Sequence, residues 1–365
     1  MYAATAEVAG ARSPVSAPAD AAATPATSLV SSVLDEYGAI TRAALLPYLE
    51  QGEPRRYLYG PAADYPRRSG RMLRSSLLIA SARAFGADLH SALNTAVALE
   101  LIHNAFLVHD DVEDEGLERR GRPTLNVLYG TPIAVNAGDA LAILSLRPLL
   151  DNRVTLGPRL ALRLLEEVER TVRESIEGQA LELGWRNDNA LGLRDEDYLR
   201  LVLRKTCSYT TIFPLRAGAL IGTRDGLDLD VLTRFGFFLG AAFQIQDDLL
   251  NLVGDHARYG KELDGDIWEG KRSLMMIRLF QCATPPELER LASALRAPRA
   301  GRSAEQVAWI RDRMTAYDCF EYARQVAHGL AGAARHEFER CFVRLPDTRD
   351  KRFLQDLARW VLARD

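Results

Sequence analysis

The chain has 365 residues, 47% hydrophobic and 26% charged, enough for one large domain or two small ones with substantial cores. A formal net charge of −3 without any basic tract excludes the electrostatic footprint of a nucleic-acid-binding protein. The cysteines, Cys207, Cys282, Cys319 and Cys341, lie far apart without metal-ligand or disulfide-framework spacing, and read as reduced core thiols in a cytosol.

Residues 1–28 are Ala, Pro, Ser and Thr with scattered charge, a mix expected to remain a disordered tail. They lack the basic start and apolar stretch of a signal peptide. Arg12 is their only basic residue, and Glu7 and Asp20 count against a transit peptide. From Leu29 onward the apolar spacing is helical and strand-like alternation is nearly absent, so residues 29–365 read as a single all-α domain. Helices are expected at Leu29–Leu49, Arg71–Phe85, Leu93–Val108, Ile133–Leu150, Pro158–Leu183, Asp195–Ile221, Val231–Ile245, Lys271–Gln281, Ser303–Phe342 and Lys351–Ala363. Pro285-Pro286 and Pro298 to Gly301 read as surface connections. The Leu93–Val108 and Val231–Ile245 stretches are apolar almost all round and belong at the centre of a bundle, where Gly236 and Gly240 admit a close neighbour. No 18 apolar residues run uninterrupted, so no membrane span is expected. A Gly-rich phosphate loop is also absent, which leaves P-loop and Rossmann folds without support.

Both central helices run into acid: Asp110-Asp111-Val112-Glu113-Asp114 and Asp247-Asp248-Leu249-Leu250-Asn251. Carboxylates beside apolar runs are costly to bury and need neutralising. In a helix Asp110 and Asp114 share a face one turn apart, as do Asp247 and Asn251, giving two oxygen-rich faces able to oppose each other across a cleft. Oxygen-only ligands suit Mg2+, which is usually shared with substrate phosphates. A single Asp-Asp-x-x-Asp would read as a solvated helix end; two copies, each after an apolar helix, do not. Arg119, Arg120 and Arg122 follow the first cluster, and Lys261, Lys271 and Arg272 the second. Carboxylates beside such cations form a diphosphate site.

These blocks, in order, resemble the trans-isoprenyl diphosphate synthases, or polyprenyl synthetases, over roughly Tyr37 to Met276. Asp110–Asp114 is similar to the family's first aspartate-rich motif. Arg119-Arg120-Gly121-Arg122-Pro123-Thr124 resembles its Arg-Arg-Gly-x-Pro-Thr, and Phe243-Gln244-Ile245-Gln246-Asp247-Asp248 its Phe-Gln-x-x-Asp-Asp. Gly178-Gln179, Lys205-Thr206, Gly260-Lys261 and Glu269-Gly270-Lys271-Arg272 match further blocks. The resemblance implies an isoprenoid synthase-type helical bundle around a central cavity, usually a homodimer. It implies three Mg2+ ions on Asp110, Asp114 and Asp247, with Asp111 and Asp248 supporting, and Arg119, Lys205, Lys261 and Lys271 on substrate diphosphate. Thr206 and Gln244 would lie beside the allylic cation, and Arg71, Arg74, His103 and Arg120 would grip isopentenyl diphosphate. The allylic substrates would be dimethylallyl, geranyl and farnesyl diphosphates. The carboxylates are expected to repel one another until metal and diphosphate bind together.

Two departures stand out. The family's Gly-Gly-Lys-x-x-Arg-Pro appears as Ser69-Gly70-Arg71-Met72-Leu73-Arg74-Ser75, and the second motif ends in Asn251 where many members carry Asp. Gln179 and His109 are left outside the core site. The residues setting chain length would sit one turn before Asp110, at Ala105 and Phe106; a small residue at the first of these favours a twenty-carbon over a fifteen-carbon product. A class I terpene cyclase and a non-catalytic subunit of a heteromeric synthase share the fold and are the alternatives. The cyclase needs no second diphosphate site, and the subunit needs no surviving Asp motifs.

Overall fold

A computed structural model describes residues 25–50, 52–68, 70–254 and 264–364. Apart from a two-residue antiparallel pair, Glu118–Arg119 with Arg122–Pro123, the regular elements among the described residues are helical. At the centre stand Leu89–Glu113 and Thr233–Val253, which carry the two acidic clusters. Asp88 caps the first of them, accepting from the Ser91 N–H at 2.7 Å. The all-round apolarity of both sequences is used as expected, since each buries residues on several faces against different neighbours.

A third rod completes the cavity wall. Asp195–Val202 passes without a break into a π-helical stretch, Leu203–Ile212, and then into Phe213–Thr223. The wider turn re-aims consecutive side chains, a device that recurs at functional sites. This rod is the close neighbour that Gly236 and Gly240 admit: a Cβ on Gly236 would lie 2.9 Å from the Ile212 Cα, and one on Gly240 2.4 Å from the Thr211 Oγ1. On the other side Gly178, in helix Pro158–Asn187, does the same, because its Cβ would fall 2.3 Å from the Lys205 nitrogen. The three glycines thus clamp the π-helical stretch between two helices.

Several boundaries differ from expectation for local reasons. The first helix starts at Pro25, inside the expected tail, and ends at Leu45, with a short turn Pro47–Glu50 beyond it, because Pro47 has no N–H to continue the ladder. Residues 1–24 lie outside the described residues. The Ile133–Leu150 stretch divides into Thr131–Leu144 and Leu146–Thr155, since Pro148 cannot donate to the Leu144 carbonyl. Ser303–Phe342 divides into Ala304–Ala316 and Cys319–Phe342 at Asp318, whose φ is 52°. Pro285-Pro286 is not a connection but the first turn of helix Pro285–Arg296, with Thr284 and Glu287 forming a capping box.

By length and composition two of the described helical stretches, Leu89–Glu113 and Thr131–Thr155, are apolar enough to cross a membrane, although polar residues such as Glu100 and Asp139 interrupt both. The first is mostly buried in the bundle. The second presents Ile143, Leu146, Leu150 and Val154 on the outside.

Candidate active site

A cavity of about 900 Å³ opens between the two acidic helices, the π-helical stretch and the final helix, Arg349–Leu362. Asp110 and Asp247 line it, each from one of the two acidic helices. Their side chains are 24% and 29% exposed, whereas those of Asp111 and Asp114 are 5% and 4% exposed, so one acid of each cluster faces the cavity openly.

The remaining acids have other work. Asp111 accepts the fork of Arg119, at 2.6 Å from Nε and 2.5 Å from Nη2, and the Tyr65 hydroxyl donates to it as well. Breaking such a buried pair costs about 3–5 kcal/mol. In this structure Asp111, expected to support a metal, anchors Arg119, which reaches the cavity edge with Nη2 3.5 Å from Asp110. The arginine turn itself is a tight hairpin, with positive φ at Arg120 (54°) and Gly121 (69°). Arg68 braces it by donating to the carbonyls of Arg119 and Pro123 at 2.8 and 2.7 Å. Asp248 likewise stands behind the cavity wall's amide, accepting from Gln244 at 2.6 Å and from the Tyr198 hydroxyl at 2.8 Å. Burial raises its carboxyl above the usual range. Gln244 in turn accepts from the Thr206 hydroxyl at 2.9 Å, so Thr206, Gln244, Asp248 and Tyr198 form one chain. Asn251 does not face the cleft with Asp247: its side-chain oxygen accepts from the Asp266 N–H at 2.9 Å, which fixes the chain where it re-enters the site.

Nor do the acids simply repel one another, because protein cations already sit on them. Lys205 Nζ lies 3.3 Å from Asp110 and 2.7 Å from Glu182. Burial alone would lower its ammonium pKa, but Glu182 and Asp110 hold it well above the usual range. Lys271 lies 2.9 Å from Asp114 and 2.7 Å from Glu269, and Arg186 also pairs with Asp114. Burial works to raise the Asp114 carboxyl, yet Lys271, Lys205 and Arg186 keep it below its ordinary value. Arg364, near the chain's end, donates to Asp247 at 3.2 Å while stacking on Phe243 with 4.3 Å to the ring centre. The neighbouring Arg204 pairs with Glu177 on the surface, so Lys205 is the basic residue of that pair that turns inward.

Elsewhere in the cavity lining the charge reverses. Arg74 Nη1 donates to His103 Nε2 at 3.2 Å, which puts the imidazole proton on Nδ1, and that buried nitrogen has no hydrogen-bond partner. Arg74 Nε is also buried without a partner. Burial, then Arg74, Arg120 and Arg119, push the His103 pKa well below its ordinary value. Burial, together with Arg119, Arg74 and Arg42, brings Arg120 down to about 10 against the opposing pull of Glu100. Arg71 also lines the cavity, over the Trp360 ring at 5.4 Å, within electrostatic reach of Arg364 and Asp247 rather than of Arg74 and His103. Cations crowded together with unused donors have the makings of an anion site.

Ala105 and Phe106 both line the cavity, the first packed toward Thr131–Leu144 and the second toward the π-helical stretch. His109 is held locally, 3.3 Å from Asp139. Gln179 donates to Glu113 at 2.6 Å. Lys261, Gly260 and Ser69 lie outside the described residues. Reasoning from sequence missed Glu182, Arg186, Tyr198, Tyr209, Trp360 and Arg364. Glu182, three residues beyond Gln179 and so on nearly the same helix face, carried a signal; Trp360 and Arg364 carried none, because only the packing of the last helix brings them in.

The sequence profile of the polyprenyl synthetase family matches residues 55–314. The chain belongs to that family. It is 33% identical over 270 residues, 74% of its length and 80% of the relative's, to a short chain isoprenyl diphosphate synthase of Methanothermobacter thermautotrophicus. Identity is 30% over 339 residues, 92% of this chain and 100% of the relative, to a geranylgeranyl pyrophosphate synthase of Geoglobus acetivorans. The crystal structure of geranylgeranyl pyrophosphate synthetase from Pyrococcus horikoshii superposes with a TM-score of 0.80 at 28% identity, covering 93% of this chain and 99% of that one. As a family member the chain is a trans-isoprenyl diphosphate synthase, a prenyltransferase with the all-α isoprenoid synthase fold. Trp360 and Arg364 lie beyond the matched segment.

Proposed function

We propose that this enzyme condenses isopentenyl diphosphate head-to-tail with allylic diphosphates, with Mg2+, to give geranylgeranyl diphosphate. One observation carries the reading: two charged poles of opposite sign, Asp110 with Asp247 and Arg74 with His103 and Arg120, open into one cavity. A diphosphate brought in with divalent metal suits the first pole and a bare diphosphate the second.

The acidic pole fits Mg2+ by its donors, which are oxygen only, and by the protein cations that already sit on its carboxylates. Among the described residues no three His, Cys, Asp or Glu side chains converge into a preformed chelate, and substrate oxygens would have to supply the remaining donors. Asp110 and Asp247, with Asp114 once released from Lys271 and Arg186, would hold Mg2+, which would supply charge neutralisation at the departing diphosphate. Lys205, Lys271 and Arg119, which pair with these carboxylates here, would donate to the diphosphate oxygens, joined by Lys261. The chain from Asp248 fixes the Gln244 amide, so that Gln244 and Thr206 present oxygen to the allylic cation without bonding to it. Isopentenyl diphosphate, held by Arg71, Arg74, His103 and Arg120, attacks through its double bond, and diphosphate takes up the proton released. No nucleophilic side chain is required.

The allylic tail runs from Asp110 along its own helix, where each turn descends about 5.4 Å, roughly one isoprene unit. Ala105 leaves one side of that path open, while Phe106 narrows the other. Product analysis by mass tests this directly. Wild-type protein is expected to stop at twenty carbons, Ala105→Tyr to stop earlier and Phe106→Ala to run longer. A wild-type product of fifteen carbons, or the same length from both variants, contradicts the assignment.

A second copy covers the exposed apolar side chains Ile143, Leu146, Leu150, Val154, Leu162 and Ile176, making a homodimer. Light scattering should give twice the chain mass for wild type and the single-chain mass for Ile143→Glu with Val154→Glu; a wild-type monomer contradicts this. The four free thiols suit a reducing cytoplasm.

A further inference from the structure

Tyr209 touches both ends of the reaction. It stands on the π-helical stretch four residues beyond Lys205, half-buried in the cavity wall. Its hydroxyl accepts from Arg74 Nη2 at 2.9 Å, and the Arg74 guanidinium carbon lies 4.5 Å from its ring centre. The same ring meets Phe106 at right angles, with centroids 5.3 Å apart, and lies 6.0 Å from the His103 ring. A guanidinium held by one ring through both a hydrogen bond and a face contact has its direction set by that ring. An aromatic packed edge-on against it has its rotamer set by the same group.

We infer that Tyr209 is a positioning residue that ties the grip on isopentenyl diphosphate to the wall that stops chain growth. The inference rests on the assignments of Arg74 and Phe106 made above and adds a link between them. With the phenol oxygen in place, Arg74 keeps Nη1 on His103 and Nη2 on the phenol. With the ring in place, Phe106 cannot turn away from the tail. The two functions separate by substitution, since Tyr209→Phe removes only the oxygen and Tyr209→Leu removes the ring as well.

The experiment measures steady-state constants for each substrate, and product lengths by mass, for wild type, both variants and Tyr209→Leu combined with Phe106→Ala. Tyr209→Phe should raise the KM for isopentenyl diphosphate about 3- to 10-fold, the loss expected for one hydrogen bond, with the allylic KM and the product length unchanged. Tyr209→Leu should raise it at least as far and lengthen the product by one isoprene unit or more, and adding Phe106→Ala should give no further length. Tyr209→Met carries the same expectation if the leucine variant does not fold. A wild-type KM in Tyr209→Phe, or wild-type product lengths once the ring is gone, overturns the inference while leaving the synthase reading intact. Wild-type protein that elongates nothing overturns that reading, and this inference with it.

Discussion

Asp110→Asn and Asp247→Asn are each expected to lower turnover by about 10²–10³-fold or more, the scale of losing one electrostatic contact to a transition state. Both side chains face the cavity, each from one of the two acidic helices, and each amide keeps the size of the acid it replaces while losing its charge. The fold should survive. Lys205 retains Glu182 at 2.7 Å when Asp110 is neutralised, and Arg364 retains its stacking on Phe243 when Asp247 is. Thermal melting within a few degrees of wild type, together with turnover nearly abolished, is the expected pair of results. Activity within a few-fold of wild type in either variant refutes the metal assignment, as does full activity in chelator.

Arg74→Ala should act on the other pole. Arg74 supplies charged donors to a pocket in which His103 Nδ1 is a further donor without a partner. A hydrogen bond to a charged group contributes about 1.5–3 kcal/mol, so the KM for isopentenyl diphosphate should rise about 10- to 100-fold. The allylic KM should move far less, because Arg74 lies with His103 and Tyr209 and not with the acid cluster. Weakening of the allylic substrate alone would mean that the two diphosphates bind at exchanged poles.

The bundle and the acidic clusters were legible in sequence because their signals are short-range, whereas the grouping of Arg74, His103 and Arg120 came only from the family resemblance. Apolarity around Leu93–Val108 and Val231–Ile245 marks central helices without reference to partners, and Gly236 and Gly240 announce a close neighbour. The acids and following arginines announce a diphosphate site by charge alone. Which acid does what was not legible, because it depends on contacts across the fold. Asp111 turns away from the cavity only because Arg119, eight residues on, and Tyr65, 46 residues back, reach it there. Asn251 matches an acid by position, yet the returning segment at Asp266 claims it. Arg364 enters the site from 117 residues beyond Asp247, through the docking of the last helix. The Pro285–Arg296 helix is different in kind: its Thr-Pro-Pro-Glu start is a local signal, and a proline pair read as a break concealed it.

The most direct measurement incubates the purified protein with Mg2+, isotope-labelled isopentenyl diphosphate and each allylic diphosphate in turn, then reads the products by mass with the diphosphate intact. Incorporation of label into an elongated diphosphate ending at twenty carbons, abolished by chelator and restored by Mg2+, is the expected result. Hydrocarbon or alcohol without incorporated label, or no product from any allylic substrate, would contradict the assignment of two diphosphate poles to one condensation.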